Sequence, residues 1–159
     1  MAEHPAGRLR REAGAPLRAS GATAAPPTWP DGGRALYVED DPGSARLMQR
    51  LFALRPGWEF CHADSGASAL QSLDQTDPDL ILLDLGLPDT HGLVVLNQLR
   101  GLARRRDCPV YVVSAQQDPA IKRALVGAGA DGFFDKPVAV QAVLDLLDLL
   151  AGNRREQQA

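Results

Sequence analysis

The sequence predicts an α/β fold, a five-stranded doubly wound parallel sheet with helices on both faces. Three observations carry that expectation. From Arg34 onward, short apolar runs alternate five times with segments whose apolar residues fall three and four apart, the signature of a strand–helix repeat. The first, third and fourth runs are dominated by aliphatic residues, as expected of parallel strands covered by helices on both sides. Polar residues able to do chemistry, Glu39, Asp40, Asp84, Ser114 and Lys136, stand at or just beyond the ends of those runs, and in an open parallel sheet chemistry collects outside the carboxyl ends of the strands.

Taken in order, the strands are expected at Ala35–Val38, Glu59–Ala63, Leu80–Asp84, Val110–Ser114 and Gly132–Phe134. The first helix is expected to open at Asp41-Pro42, an acidic N-cap followed by proline, and to bury Ala45, Met48, Leu51 and Phe52. Ala67, Leu70 and Leu73 mark the second helix, and Leu93, Leu96 and Leu99 the third. Asp118-Pro119 repeats the capping signal before Ile121, Ala124 and Leu125, and Gly127, Gly129 and Gly132 close that helix and lead into the fifth strand. The last helix carries Val140, Val143, Leu144, Leu147 and Leu150, with Asp145 and Asp148 on another side.

The 159 residues suit one domain with spare length. Residues 1–33, broken by Pro5, Pro16, Pro26, Pro27 and Pro30 and otherwise rich in glycine and alanine, are expected to form a disordered tail. Residues 34–151 form the expected domain, and 152–159 a polar, frayed C-terminal tail with no second globular unit after it. A net charge of −3 and the lack of a basic stripe or zinc pattern argue against nucleic-acid binding. No apolar stretch approaches the roughly 20 residues needed to span a bilayer, and no apolar core follows Arg8, Arg10 and Arg11 as a secretion signal requires, so a cytoplasmic protein is expected. Cys61 and Cys108 read as buried, reduced thiols.

Brought to one crevice, three carboxylates, a hydroxyl and a lysine suit a divalent metal and a phosphoryl group. Magnesium takes hard oxygen ligands and keeps a phosphate oxygen among them. Glu39 and Asp40 would face Asp84, and a cation would relieve their mutual repulsion. Asp84 would then be a nucleophile, with Lys136 and Ser114 stabilising the phosphoryl oxygens.

Four motifs lie in register with the strand–helix repeat: Leu36-Tyr-Val-Glu-Asp-Asp41, Asp79-Leu-Ile-Leu-Leu-Asp-Leu-Gly-Leu-Pro-Asp89, Val112-Val-Ser-Ala115 and Ala130-Asp-Gly-Phe-Phe-Asp-Lys-Pro137. With these motifs, residues 34 to about 151 resemble a response-regulator receiver domain of two-component signalling, of stand-alone type. The resemblance implies the flavodoxin-like (βα)5 receiver fold. It also implies phosphorylation of Asp84 by a histidine kinase or a histidine-phosphotransfer protein. Mg²⁺ would be held by Glu39, Asp40, Asp84 and the Gly86 carbonyl. By the same resemblance Ser114 and Lys136 contact the phosphoryl group, Phe133 is the aromatic that changes rotamer with Ser114, and Lys136-Pro137 is often a cis peptide. Output would pass to a downstream target protein through the surface of helix 4, strand 5 and helix 5, or onward to a histidine in a relay. Only Mg²⁺-assisted autophosphorylation and autodephosphorylation are implied as chemistry. Ser114 stands where threonine is commoner, and Phe133 lacks a phenolic hydroxyl. Gly86 and Gln116 occupy the two positions that flank the path of attacking water.

Alternatives remain open at this point. A phosphorylation-independent interaction module would keep the fold and lose part of the acidic set, which here is intact. A Mg²⁺-dependent hydrolase would want a second acid two residues after Asp84, where Gly86 stands. His62 and His91 are not expected to be catalytic, and Arg104–Arg106 reads as a solvated run.

Overall fold

The computed structural model describes residues 32–102 and 107–158, with side chains described as far as Gly152. Most of the expected N-terminal tail and the Arg104–Arg106 run therefore lie outside the described residues. The elements run β1 (Arg34–Val38), α1 (Pro42–Phe52), β2 (Glu59–Ala63), α2 (Gly66–Thr76), β3 (Leu80–Asp84), α3 (Gly92–Gly101), β4 (Val110–Ser114), α4 (Pro119–Gly127), β5 (Gly132–Asp135) and α5 (Val140–Gln158). All strand pairs are parallel, in the order β2-β1-β3-β4-β5. This is the doubly wound α/β fold the alternation predicts. Among the described residues no helix is long and apolar enough to cross a membrane.

Strand alternation divides the core in two. Leu36, Val38, Ile81, Leu83, Val110 and Val112 face a cluster completed by Leu73 of α2, Val95, Leu96 and Leu99 of α3 and Leu125 of α4. Ala35, Tyr37, Leu80, Leu82 and Val113 face the other way, onto Met48, Leu51 and Phe52 of α1 and Val143, Leu146 and Leu147 of α5. Each strand of β1 and β3 thus reads as a continuous apolar run because both of its faces are covered.

The helix starts match their capping signals. The Asp41 carboxylate accepts from Ser44 N–H, and Asp118 from Ala120 N–H. Ser65 and Ser68 form a reciprocal capping box at α2. Gly129 takes φ +108° after α4, where a side chain would also strike Arg100. Two helices depart from expectation. In α2 the buried positions are Gly66, Ala69 and Leu73, with Ala67 exposed, a phase shift of the apolar face that small residues do not reveal. The expected frayed end after Gly152 is corrected, since α5 continues to Gln158. Gly152 costs about 1 kcal/mol in a helix interior, and the Arg, Glu and Gln residues beyond it are good helix formers with no proline to stop them.

The amino-terminal edge of the sheet is fastened by two aspartates that alternation alone would leave as loop acids. Asp79 stands just before β3 and accepts from the N–H of Arg34, the first residue of β1, at 2.9 Å. Asp131 stands just before β5 and accepts from the N–H of Val110, the first residue of β4, at 2.8 Å. Each satisfies a strand-end donor that would otherwise lack an acceptor. We expect Asp79→Ala to lower the unfolding free energy by about 1–3 kcal/mol, the usual effect of stranding a buried donor. Urea denaturation checks this, with exposed Leu149→Ala as a control expected within about 0.5 kcal/mol of the parent.

Candidate functional site

The strand order places the topological switch point between β1 and β3, because the chain leaves β1 toward β2 and returns on the other side as β3. Crossovers diverging in this way open a crevice at the carboxyl ends of these two strands. Into it β1 delivers Glu39 and β3 delivers Asp84. Tyr37 lies two residues before Glu39 on the same side of the chain, and its buried hydroxyl donates to Glu39 Oε1 at 3.0 Å. The Asp41 N–H donates to Glu39 Oε2 at 3.3 Å.

The cation arrives from the far side of the sheet. Lys136 follows β5, its N–H donates to the Ser114 carbonyl at 3.1 Å, and the Lys136–Pro137 peptide is cis. Its Nζ donates to Glu39 Oε1 at 2.7 Å and stands 3.4 Å from Asp84 Oδ1. One ammonium therefore bridges two carboxylates. Asp40, exposed, completes an acidic group in which one oxygen each of Glu39, Asp40 and Asp84 lies within 4.8 Å of the others.

Glu39 is 1% and Asp84 7% exposed, so their charges interact strongly. Burial alone would raise the Glu39 pKa. Hydrogen bonds from Lys136, the Asp41 N–H and Tyr37 overcome that and hold it below the ordinary carboxylate range. Asp84 goes the other way, raised first by burial and then by the charge of Glu39, with Lys136 offsetting only part. Burial acts to lower Lys136, but its bond to Glu39 and the Asp84 charge hold it above the ordinary lysine value. Tyr37 is raised by burial and by Glu39, so it stays a hydrogen-bond donor. The two shifts are opposed: Glu39 is held toward its anion and Asp84 away from it.

The remaining expected residues are Ser114, Gly86 and Phe133. Ser114 ends β4, one residue beyond Val113, the β4 partner of Asp84, and its Oγ accepts from Gln116 N–H at 2.9 Å. The described contacts of the Ser114 hydroxyl do not reach Glu39, Asp84 or Lys136. Gly86 sits beside Asp84, where a Cβ would stand 4.0 Å from Oδ2. Phe133 lies half-buried on β5 with Lys122 Nζ 5.6 Å from its ring centroid. Beside it is a hollow of about 10 Å³, roughly one water, lined by Leu85, Val112, Ser114 and Leu125 among others. His62 and His91 take structural parts. His62 Nε2 lies 2.6 Å from the Glu39 carbonyl, and His91 Nδ1 caps α3 by accepting from Leu93 N–H.

Sequence reasoning passed over three residues that shape the site. Tyr37 was readable from its spacing to Glu39. Asp89, quoted within a motif without a role, accepts from Gly66 and Ala67 N–H at 2.9 Å each, and so ties the loop after Asp84 to the start of α2. Gly92 lets α3 begin against β3. A Cβ there would come within 2.6 Å of the Asp84 carbonyl oxygen and 2.8 Å of Leu85 Cα, contacts that backbone cannot yield.

Comparisons with known proteins bear on the family and the fold. Residues 35–148 match the response regulator receiver domain family. The chain is 37% identical over 109 residues to the transcriptional regulatory protein KdpE of Mycobacterium tuberculosis, covering 69% of this chain and 46% of that protein. It thus spans about half the length of such curated relatives. The signal receiver domain of a signal transduction histidine kinase from Syntrophus aciditrophicus superimposes with TM-score 0.68 and 28% identity, over 76% of this chain and 91% of that one. The receiver domain of a sensor histidine kinase from Pseudomonas aeruginosa PAO1, solved with a magnesium ion coordinated in its active-site cleft, shares the fold at TM-score 0.68 and 22% identity, over 76% and 98% of the two chains.

The raised Asp84 pKa fixes the sign of a stability effect. The folded protein holds this proton more tightly than the unfolded chain, so ionised Asp84 opposes folding. That opposition is absent below the unfolded value, about 3.9, and grows as pH rises through the folded one. In EDTA at neutral pH, Asp84→Asn is expected to unfold at a higher urea concentration than the parent, and the difference should close as the pH falls below about 4. A lower midpoint at neutral pH would show instead that the Asp84 carboxylate, through Lys136, is a net stabiliser.

Proposed function

The chain belongs to the response regulator receiver domain family, and on that premise we propose that Asp84 is the phosphoacceptor of a two-component or phosphorelay switch. Receiver domains are signalling modules, not enzymes acting on a separate substrate, and the chemistry assigned to this chain is confined to its own aspartate. The observation that carries the reading is the bridging of Glu39 and Asp84 by Lys136 at the mouth of the crevice, with Asp40 alongside.

The donor set fits magnesium. It offers oxygen ligands alone, and Lys136 leaves negative charge in the crevice uncompensated. Glu39, Asp40, Asp84 and the Gly86 carbonyl would hold the ion. When bound it supplies charge neutralisation between the carboxylates and the phosphoryl oxygens. An Asp84 carboxylate oxygen then attacks phosphorus. The new O–P bond forms as the P–N bond to the donor histidine breaks, and the bonding pair returns to the imidazole. Lys136 moves its ammonium toward the phosphoryl oxygens while remaining within reach of Glu39. Ser114 accepts its present bond from Gln116, so its own hydroxyl proton is free to donate to the phosphoryl group. Movement of Ser114 draws Phe133 toward the small hollow behind it, and the α4–β5–α5 surface changes with the ring.

The phosphoryl donor in this reading is a histidine kinase or a histidine-phosphotransfer protein, and the reader is a target protein that binds one of two populated states better. The site sits in the cytoplasm and works by protein contact. The KdpE relatives are transcriptional regulators of about twice the matched length, and no nucleic-acid contact is assigned to the residues described for this chain.

Acetyl phosphate with and without Mg²⁺, followed by intact mass, tests the proposal. The expected result is a metal-dependent gain of one phosphoryl group that Asp84→Asn abolishes. Phosphate on Asp84→Asn, or uptake indifferent to Mg²⁺, would overturn the assignment. If no phosphate is taken up and beryllofluoride with Mg²⁺ leaves the amide spectrum unchanged, the phosphorylation-independent module replaces it. Lys136→Gln is expected to slow uptake by about 10²-fold or more, the usual loss on removing one donor from developing charge, with Mg²⁺ dependence retained in single-turnover rates.

A further inference from the structure

We propose that the free edge of β2 pairs antiparallel with β2 of a second copy of this chain, centred on Cys61. β2 is the outermost strand and pairs with β1 alone among the described residues. Glu59 N–H donates to the Gly33 carbonyl at 2.7 Å, and the Ala63 carbonyl accepts from Glu39 N–H at 2.9 Å. The backbone groups of Glu59, Cys61 and Ala63 therefore point inward, and those of Phe60 and His62 point out from the sheet. The strand carries no proline, lysine or bulge, devices that commonly block such an edge. Open hollows flank it on both faces, about 270 Å³ against Ser68 and Ser72 of α2 and about 300 Å³ against Ala45 and Gln49 of α1.

The geometry selects one register. A two-fold axis between two copies of an edge strand must run perpendicular to the joint sheet, so facing residues share a face. With the axis at Cys61, Phe60 of each copy faces His62 of the other, and both free pairs of N–H and C=O groups are used, giving four new backbone bonds. Moving the axis to Phe60 brings in Trp58, whose N–H already donates to the Arg55 carbonyl. Charge agrees with the Cys61 axis. Glu59, neutralised by Arg34 at 2.8 Å, faces Ala63, and His62 faces an aromatic ring, so no like charges meet. Cys61 faces itself at a non-hydrogen-bonded position, where Cα atoms stand about 4.5 Å apart. That separation lies at the short end of the range a disulfide can bridge. A five-residue edge gives a small interface, so the dimer is weak and forms at high protein concentration.

Sedimentation velocity on the full reduced chain over a concentration series reads the association. A dimer that grows with concentration, that His62→Pro abolishes and Cys61→Asp weakens, is expected. Proline removes an outward donor at an edge position that tolerates it, and Cys61→Asp sets two carboxylates across the axis. Circular dichroism confirms that each variant is folded, and if His62→Pro is not, Cys61→Asp alone decides. Diamide, taking up two electrons and two protons as two thiols join, should then trap the dimer through Cys61. Burial, with Glu59 nearby, holds this thiol above its ordinary pKa, so oxidation is run at mildly alkaline pH. Trapping should persist in Cys108→Ser and vanish in Cys61→Ser. A chain that stays monomeric throughout, a dimer unaffected by the variants, or an associating chain that diamide does not trap at Cys61 would overturn the proposal.

Discussion

The crevice depends on one ammonium. Lys136 reaches from the end of β5 to Glu39 at the end of β1, 97 residues away in the chain, and touches Asp84 on β3 between them. Two buried carboxylates side by side would otherwise drive each other to protonate. With Lys136 in place the charge divides unevenly. Glu39 takes the short bond, together with Tyr37 and the Asp41 N–H, and these donors favour its anion. Asp84 keeps the longer contact and remains chemically open. One cation among three acids still leaves negative charge in the cluster, and for the buried Glu39 and Asp84 that charge is expensive.

The two ends of the sheet use aspartate for opposite purposes. At the amino-terminal edge Asp79 and Asp131 are spent on strand-end N–H groups, and Asp131 is bound by Arg100 as well. At the carboxyl edge Asp40 and Asp84 are left with few donors and crowd together. A carboxylate with its lone pairs filled stabilises a fold, and one held short of donors is available to a ligand. Asp79 and Asp131 thus have their lone pairs filled where strands begin, whereas Asp40 and Asp84 are left short of donors where strands end.

Much of this was legible in the sequence because it is written in local signals. Five strands and their helices followed from periodicity, and two helix starts from Asp-Pro pairs. The candidate site residues were picked out because each stands at or near a strand end and four motifs fall in register, and the fold gathers Glu39, Asp40, Asp84 and Lys136 at one crevice. What escaped was set by contacts between distant segments. Nothing local says that Asp89 caps α2, that Asp79 serves β1, or that Gly92 is small because the Asp84 carbonyl is in the way. The burial phase of α2 was misread because Ala67 and Ala69 look alike to a periodicity argument. Cys61 was read as buried, whereas its place on an edge strand leaves it half exposed. The end of α5 was drawn at a glycine that the helix tolerates.

His62 joins the two surfaces that matter. Its backbone lies on the outward side of β2, while its ring reaches inward to the Glu39 carbonyl at 2.6 Å. A carbonyl oxygen only accepts, so Nε2 must carry the proton, which fixes the imidazole's donor. The β1 end is therefore clamped on one side by His62 from β2 and on the other by Lys136 from beyond β5. Side-chain contacts thus link the crevice outward in two directions, through Lys136 to β5 and through His62 to β2. On the β5 side lies the half-buried Phe133, beside a hollow of about 10 Å³. Both outer strands are held by a parallel ladder, β2 to β1 and β5 to β4, so the two clamps on the β1 end rest on equally paired backbone.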